Sequence, residues 1–451
     1  MFTFKNYSNA FSTIKTDKFL FVLDPWTSKG IFDGGWAPYP PLKTSLDFLE
    51  NVTHCFPSHI HTDHFDMGTI SRFPKSTKMI VPEVYPNHIM ISKIEKAGFT
   101  NITILKRNQR IEIEKGIFAE VVPPLNTSGL EFSHIKPRDI SRLAIDTGII
   151  LEIEDIKLVL LADNTPYNPH HIKPLLEKMK GCDLLGFNYN GAASDYPLCY
   201  NMTTEEKNKF RDSSEMKREE SILKFIKIVS PKNLMPYSSE FVVMGPKSLE
   251  FAKHHLNGHW IDKKEVAERY QKNTGIPTWY LYEDDAIKFE NGKMMVNINT
   301  KEIPSLLEIA KKYYSPESEI SKLSKGNLEY VKKIFPKAVK NMFEKCDLYN
   351  LKPFSRFVIE FSDNPPNNFV IDFKSREISY NENIQDNYLK CVTPMKYFEK
   401  MLTRETSWNS GYLSFQLNWE RKPDVFDNDF FMALNFLTLS RDDLSNKEIL
   451  T

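Results

Sequence analysis

Within six residues, His59-Ile60-His61-Thr62-Asp63-His64, the chain places three imidazoles and a carboxylate, although the full 451-residue sequence holds only 11 histidines. These side chains together suit zinc, iron and manganese. The motif ends the apolar run THCFPSHI, which reads as a buried strand. In an extended segment alternate side chains share a face. His59 and His61 are therefore expected to chelate one ion. Asp63 and His64, where the chain turns, are expected to face a second. A solvated loop with chance histidines would not explain this spacing.

A two-metal site needs ligands beyond one motif. Asp163 closes the apolar run KLVLLAD, and an aspartate ending a buried strand is costly unless it is paired or bound to a cation. Bridging two ions would remove that cost; capping the next element, near Asn164-Thr165-Pro166, is the plainer role. His134 lies in the loop before LAIDTGII and is a second candidate, against a surface-loop reading. His170 and His171 read as the start of a helix, and His254, His255 and His259 as chance neighbours.

The elements that must position these groups follow from pattern. Residues 1–25 read as strands ending at Asp24-Pro25, where proline closes the ladder. A loop rich in Gly, Pro and aromatics (Gly30 to Pro41) follows. Strands then dominate, with helices at intervals, through IKLVLLADN. LAIDTGIILEIED and IKLVLLADN read as a hairpin-like pair. TTEEKNKFRDSSEMKREESILKFIKIV reads as a long charged helix with an apolar stripe. The pattern predicts a layered α/β sandwich rather than one parallel sheet. After about 301 the character changes to amphipathic helices, three successive strands (RFVIEFSD, NNFVIDFKSREISYNE, NYLKCVTP), the helix MKYFEKMLTR and the strand YLSFQLNWERKP. That predicts a metal-binding catalytic domain over 1–300 and a smaller α+β domain over 301–451.

Composition narrows the class. Lys+Arg and Asp+Glu are equal at 59 each, so no net field attracts nucleic acid or an anionic membrane. Apolar residues make up 41% and charged residues 26%, as in globular proteins. No apolar run approaches a membrane span, and the N-terminus lacks the pattern of a secretory signal. Five scattered cysteines without a C-x-x-C pair fit free thiols in a reducing cytoplasm.

The H-x-H-x-D-H motif, a third histidine and a strand-ending aspartate, in that order, resemble the metallo-β-lactamase fold superfamily. The resemblance implies an αββα sandwich in which His59, His61 and His134 bind one metal, Asp63 and His64 a second, and Asp163 bridges. Hydrolytic members add a late histidine in a P-x-H pattern. Here that place reads Pro236-Tyr237-Ser238-Ser239-Glu240, and Tyr237, Ser238 or Glu240 is expected near the second metal instead. Several stretches resemble one branch, the CMP-N-acetylneuraminate hydroxylases: LDPWTSKGIFDGGW, SHIHTDH, DTGIILEIEDIKLVLLADNTP, NGAASDYP, PKNLMPYSSEF and SFQLNWERKPDVF. Those enzymes carry a Rieske domain, with two Cys and two His in C-x-H and C-x-x-H pairs. This chain has no such pairs, so no Rieske cluster is expected and an external electron donor would be needed. The C-terminal part also resembles a sterol-carrier-protein-like module, read as a packing or dimerisation unit.

Two chemistries follow. A non-haem iron oxygenase, with Fe favoured, would hydroxylate a small polar metabolite such as a sugar nucleotide or an amino-acid-like compound. A dizinc hydrolase, the alternative, would cleave a phosphoester, lactone or amide. Asp63, Tyr237 and Glu240 are the catalytic candidates. Arg138, Arg142, Asn190, Ser194 and Asp195 are substrate-wall candidates, with solvated loop or strand-capping roles as the plainer reading.

Overall fold

The structure, a computed structural model, describes residues 1–84, 87–125, 145–166, 173–189, 197–238, 240–256, 262–365, 367–385, 387–425 and 427–445. It is a mixed α/β protein with several sheets. An eight-stranded sheet runs in the order β16 (Lys293–Asn297), β15 (Ala286–Glu290), β1 (Phe2–Ser8), β2 (Phe11–Lys15), β3 (Leu20–Leu23), β5 (His54–Phe56), β6 (Lys78–Pro82), β7 (Ile102–Leu105). A six-stranded sheet runs β13 (Leu234–Tyr237), β12 (Leu184–Asn188), β11 (Ile156–Leu160), β10 (Gly148–Ile153), β9 (Ile117–Val122), β8 (Ile111–Glu114).

Side-chain alternation explains the layering. Phe4, Ile14, Phe21, Phe56 and Ile80 of the first sheet meet Ile149, Leu151, Leu158, Leu160 and Met235 of the second in one buried cluster. The opposite faces carry their own cores. Val22, Cys55, Met79 and Val81 pack with Met90 and Ile94 of the helix Asn87–Lys96. Val159, Leu185 and Leu234 pack with Ile222, Phe225 and Val229 of the helix Thr204–Val229, and with Val266 and Tyr270 of Lys263–Thr274. Two sheets face each other and helices cover both outer faces.

The long helix starts on a capping box between Thr203 and Glu206. Its apolar stripe occupies only the C-terminal half; the first half buries Lys207, Arg211, Glu215 and Arg218.

Strand polarity sets the site. β3, β5, β6 and β7 are parallel neighbours, and so are β11, β12 and β13. Parallel strands bring their carboxyl ends to one edge, where side chains leaving each strand converge. β10 and β11 form the expected antiparallel hairpin, turning at Glu154 (φ 54).

The remaining strands form a two-stranded pair, β4 (Trp36–Pro38) with β14 (Phe241–Val243), and a five-stranded sheet. The latter runs β19 (Glu377–Tyr380), β18 (Asn368–Asp372), β17 (Arg356–Phe361), β20 (Tyr388–Thr393), β21 (Asn418–Lys422). The three segments read as successive strands do not lie side by side in chain order. β20 passes over to the other side of β17 and pairs with it in parallel, Val358 opposite Lys390. The segment read as one strand, YLSFQLNWERKP, is split. Its start belongs to the helix Trp408–Leu413, because Ser407 caps that helix by accepting from Ser410 N. Only Asn418–Lys422 is strand. The C-terminal core is continuous with the N-terminal part: Trp26, Phe32, Trp36, Phe241 and Phe251 share one buried cluster with Phe357, Phe398, Trp408 and Leu417.

Candidate metal centre

The histidine motif leaves the carboxyl end of β5. It does not continue the strand as expected. Residues 57–66 bend and turn, with His64 N donating to His61 O at 3.0 Å and Phe65 N to the same oxygen at 2.7 Å. The turn, rather than strand alternation, gathers the rings. The centroids of His59 and His61 are 4.6 Å apart, and those of His59 and His64 4.2 Å.

Other strand ends bring the carboxylates. Asp163 follows β11 and approaches His64 Nε2 at 3.2 Å and His59 Nε2 at 4.0 Å through Oδ2. Asp63 Oδ2 lies 3.3 Å from His64 Nε2. Asp24, at the end of β3, faces His64 Nδ1 at 3.5 Å and accepts from Ser58 N at 2.6 Å. Asp146, two residues before β10, places Oδ1 3.6 Å from His59 Nε2. Two donor groups result, His59 with His61 and Asp146, and His59 with His64 and Asp163.

The carboxylates are fixed from behind. Asn9 Nδ2 donates to Asp63 at 3.0 Å. Asn188 Nδ2, at the end of β12, and Ser238 Oγ, just past β13, donate to Asp163 Oδ1 at 3.1 and 2.7 Å. Asn9, Asp24, Ala162 and Ser238 all have positive φ (48, 45, 50 and 65°). Such conformations cost roughly 1–3 kcal/mol each and persist where surrounding contacts enforce them. Four at one strand edge mark backbone bent to aim side chains.

Electrostatics fit a cation. His59 is 1% exposed, His64 0%, Asp24 and Asp63 4% each. Burying carboxylates in such number demands positive charge. Burial, with the neighbouring rings, holds His59 well below the usual histidine range, and burial holds His61 low. For His64 burial acts in the same downward direction, but Asp163, Asp63 and Asp24 outweigh it and push the ring well up. Against the cost of burial, the neighbouring His64 and His59 rings and the Ser238 hydroxyl hold the Asp163 carboxyl below its ordinary range. His64 Nε2 is buried between the carboxylates of Asp63 and Asp163, at 3.3 and 3.2 Å. Two carboxylates and further imidazoles converging on one buried point are a donor set that suits a metal ion. The residues present therefore fit a pair of ions.

The other expected residues sit as follows. Tyr237, which burial pushes far up, accepts a hydrogen bond from Ala162 N at 2.9 Å, so its oxygen is engaged with backbone. Glu240 forms a buried ion pair with Lys263 at 2.8 Å and accepts from Tyr189 OH at 3.2 Å. Of the segment expected near the second metal, Ser238 is the residue bonded to a metal-site side chain. His134, Arg138, Arg142, Asn190, Ser194, Asp195 and Ser239 lie outside the described residues. Asp146 was missed in the sequence; its one signal is an aspartate directly before the apolar run TGIILEI. Asn409 was missed too: its Nδ2 lies 2.7 Å from His61 Nε2, across 348 positions of sequence.

No protein-family model matches the chain. Over 91% of its length it is 21% identical to the cytidine monophosphate-N-acetylneuraminic acid hydroxylase of Sus scrofa, spanning 92% of that protein. It is 21% identical over 96% of its length to the Asterias rubens protein of the same name, spanning 64% of it. An 81-residue stretch, 18% of this chain, is 31% identical to 15% of a Rieske 2Fe-2S iron–sulfur protein of Mycolicibacterium smegmatis. Among solved structures it resembles CmlA, a diiron β-hydroxylase from Streptomyces venezuelae, with TM-score 0.42 and 15% identity over 66% of this chain and 54% of that one. It also resembles a metallo-β-lactamase fold protein from Bacillus subtilis, with TM-score 0.37 and 10% identity over 63% and 98% of the two chains.

Proposed function

We propose that this chain is a dinuclear metal-dependent oxygenase that hydroxylates a small polar metabolite at a non-haem iron centre. The observation that carries this reading is the donor set. One group is two histidines and a carboxylate, His59, His61 and Asp146; the other adds His64 and Asp163. Two imidazoles and one carboxylate with open positions are the ligation that suits non-haem iron and O2. At the end of β13 no nitrogen ligand stands among the described residues, and Ser238 and Tyr237 are bonded to Asp163 and Ala162 N. Similarity along nearly the whole chain to hydroxylases supports the same reading.

Iron bound here supplies O2 activation beside the substrate. The chain's own residues hold the donors in place. Asn188 and Ser238 fix Asp163, leaving its Oδ2 turned toward His64 and His59. Asn9 fixes Asp63. The Phe32 ring meets His61 edge to face, centroids 6.3 Å apart. We assign the C-terminal unit a packing role on the site, and the reducing equivalents to an external donor.

The reading is tested by supplying iron-reconstituted protein with a chemical reductant and 18O2 in the presence of candidate sugar nucleotides and amino-acid derivatives. Incorporation of one labelled oxygen into product supports it. Hydrolysis of an ester or lactone by the zinc-loaded protein, with no O2 uptake by the iron form, would replace it with the dizinc hydrolase.

A further inference from the structure

The hairpin turn joining β1 to β2 reaches Asp63 directly and Asp163 through Ser238. Asn9 stands at this turn, 2% exposed and at φ 48°. Its Nδ2 donates to Asp63 Oδ2 at 3.0 Å. Its carbonyl oxygen accepts from Ser238 N at 3.2 Å, and Ser238 Oγ in turn donates to Asp163 Oδ1 at 2.7 Å. One residue therefore ties Asp63 through its side chain and Asp163 through its main chain. A carboxylate oxygen has two lone pairs, so Asp63 Oδ2 can keep the Asn9 bond while facing an ion.

The turn is itself locked from behind. β1 and β2 lose register between Asn6 and Ser8, and Asn6, 1% exposed, turns its amide into the hairpin. Asn6 Nδ2 lies 2.9 Å from Asn9 O, 3.2 Å from Phe11 O and 3.2 Å from Ser12 Oγ. Asn6 Oδ1 accepts from Lys263 Nζ at 3.0 Å. An ammonium only donates, so the buried Lys263 dictates which way the Asn6 amide faces and keeps its NH2 group on the turn. The three N–H groups of Lys263 have three acceptors: Asn6 Oδ1, Leu281 O at 2.9 Å and Glu240 Oε1 at 2.8 Å. A buried ion pair is a poor source of net stability, since apolar residues of similar volume commonly do as well. A bond from the pair into the turn is what apolar residues could not supply.

We propose that Asn9 is a positioning residue that sets the spacing of Asp63 and Asp163, and that Lys263, acting through Asn6, holds it there. The path is continuous and buried. It runs from Lys263 to Asn6, from Asn6 to Asn9, and from Asn9 to Asp63 and, by way of Ser238, to Asp163. The ion that His64, Asp63 and Asp163 surround depends on that spacing. The donors of the other ion, His59, His61 and Asp146, lie off the path. The helix Lys263–Thr274, whose first residue is Lys263, thus governs affinity at one site of the pair and spares the other.

The proposal rests on Asp63, His64 and Asp163 being metal ligands, and the test separates the two. The full-length protein is stripped of metal and titrated with Co2+ against a chromophoric chelator, and the visible spectrum follows each equivalent. His64→Ala identifies the step that belongs to the ion between Asp63 and Asp163 by losing it. Asn9→Gly keeps the positive φ and removes only the side-chain arm; Asn6→Ala frees the turn without touching a metal ligand. Both are expected to bind that ion about 10–100-fold more weakly and the other ion within a few-fold of wild type. Glu240→Gln disturbs the same buried pair but keeps the bond from Lys263 to Asn6, and should bind both ions as wild type does. Wild-type affinity for both ions in Asn9→Gly and Asn6→Ala, or equal weakening of the two ions, would overturn the positioning role and leave the ligand assignment intact. Full Co2+ stoichiometry in His64→Ala would overturn both.

Discussion

Removing Lys263 tests whether Glu240 belongs to the structure or to the chemistry. Lys263 is 2% exposed and Glu240 5%. The ammonium lies 2.8 Å from Glu240 Oε1 and also donates to Asn6 Oδ1 at 3.0 Å and Leu281 O at 2.9 Å. Lys263→Met keeps the stem's volume but leaves a buried carboxylate without its counter-charge, together with two acceptors deprived of a donor. Breaking a buried pair from one side costs about 3–5 kcal/mol. Glu240→Gln should cost less, because the amide still accepts from Tyr189 OH and leaves a cation with two neutral partners. The double variant Lys263→Met/Glu240→Gln should therefore be more stable than Lys263→Met alone, with a coupling of about 1–3 kcal/mol in a double-mutant cycle. Urea unfolding of metal-free protein followed by tryptophan fluorescence measures all three. Metal stoichiometry should stay at the wild-type value in Glu240→Gln. Unchanged stability in Lys263→Met, or loss of a metal ion in Glu240→Gln with stability intact, would refute the pairing and return Glu240 to the metal centre.

Three further outcomes follow from the same geometry. Asp146→Ala should weaken retention of the ion held with His59 and His61 by at least about tenfold, measured by chelator competition, whereas Asp146→His, which restores a donor, should recover part of it. Tyr237→Phe removes the acceptor of buried Ala162 N and should cost about 1–3 kcal/mol in unfolding free energy while leaving the metal content unchanged. Burial and the Arg211 charge push His254 down to about 4. A lowered histidine binds its proton less readily folded than unfolded, so its stability contribution is present above pH ~6.5 and is lost as pH falls toward 4. The loss reaches up to roughly 3 kcal/mol, and His254→Asn should reduce that acid limb in urea titrations without abolishing it, because burial and Arg211 push His255 down to about 4 as well.

The gathering of His59, His61, His64 and Asp163 was legible because imidazoles at short spacing, and a carboxylate at a strand's end, carry local signals. The layered sheets were legible because alternation and turn residues are local too. Asp146 gave only the weak signal of a carboxylate preceding an apolar strand. Asn409 gave none, since its meeting with His61 depends on how the C-terminal helix packs under Trp36 and Trp408. The turn at 61–65 replaced the expected strand alternation because His61 O collects two backbone donors. The parallel pairing of β20 with β17 was hidden for the same reason as Asn409: strand order is a property of the assembled sheet and not of any segment.

Elemental analysis of protein purified aerobically from iron-supplemented cells tests the central claim most directly. Two iron atoms per chain, lost in His61→Ala, are the expected result. Two zinc atoms and no iron, in protein that consumes no O2 when reduced, would contradict it.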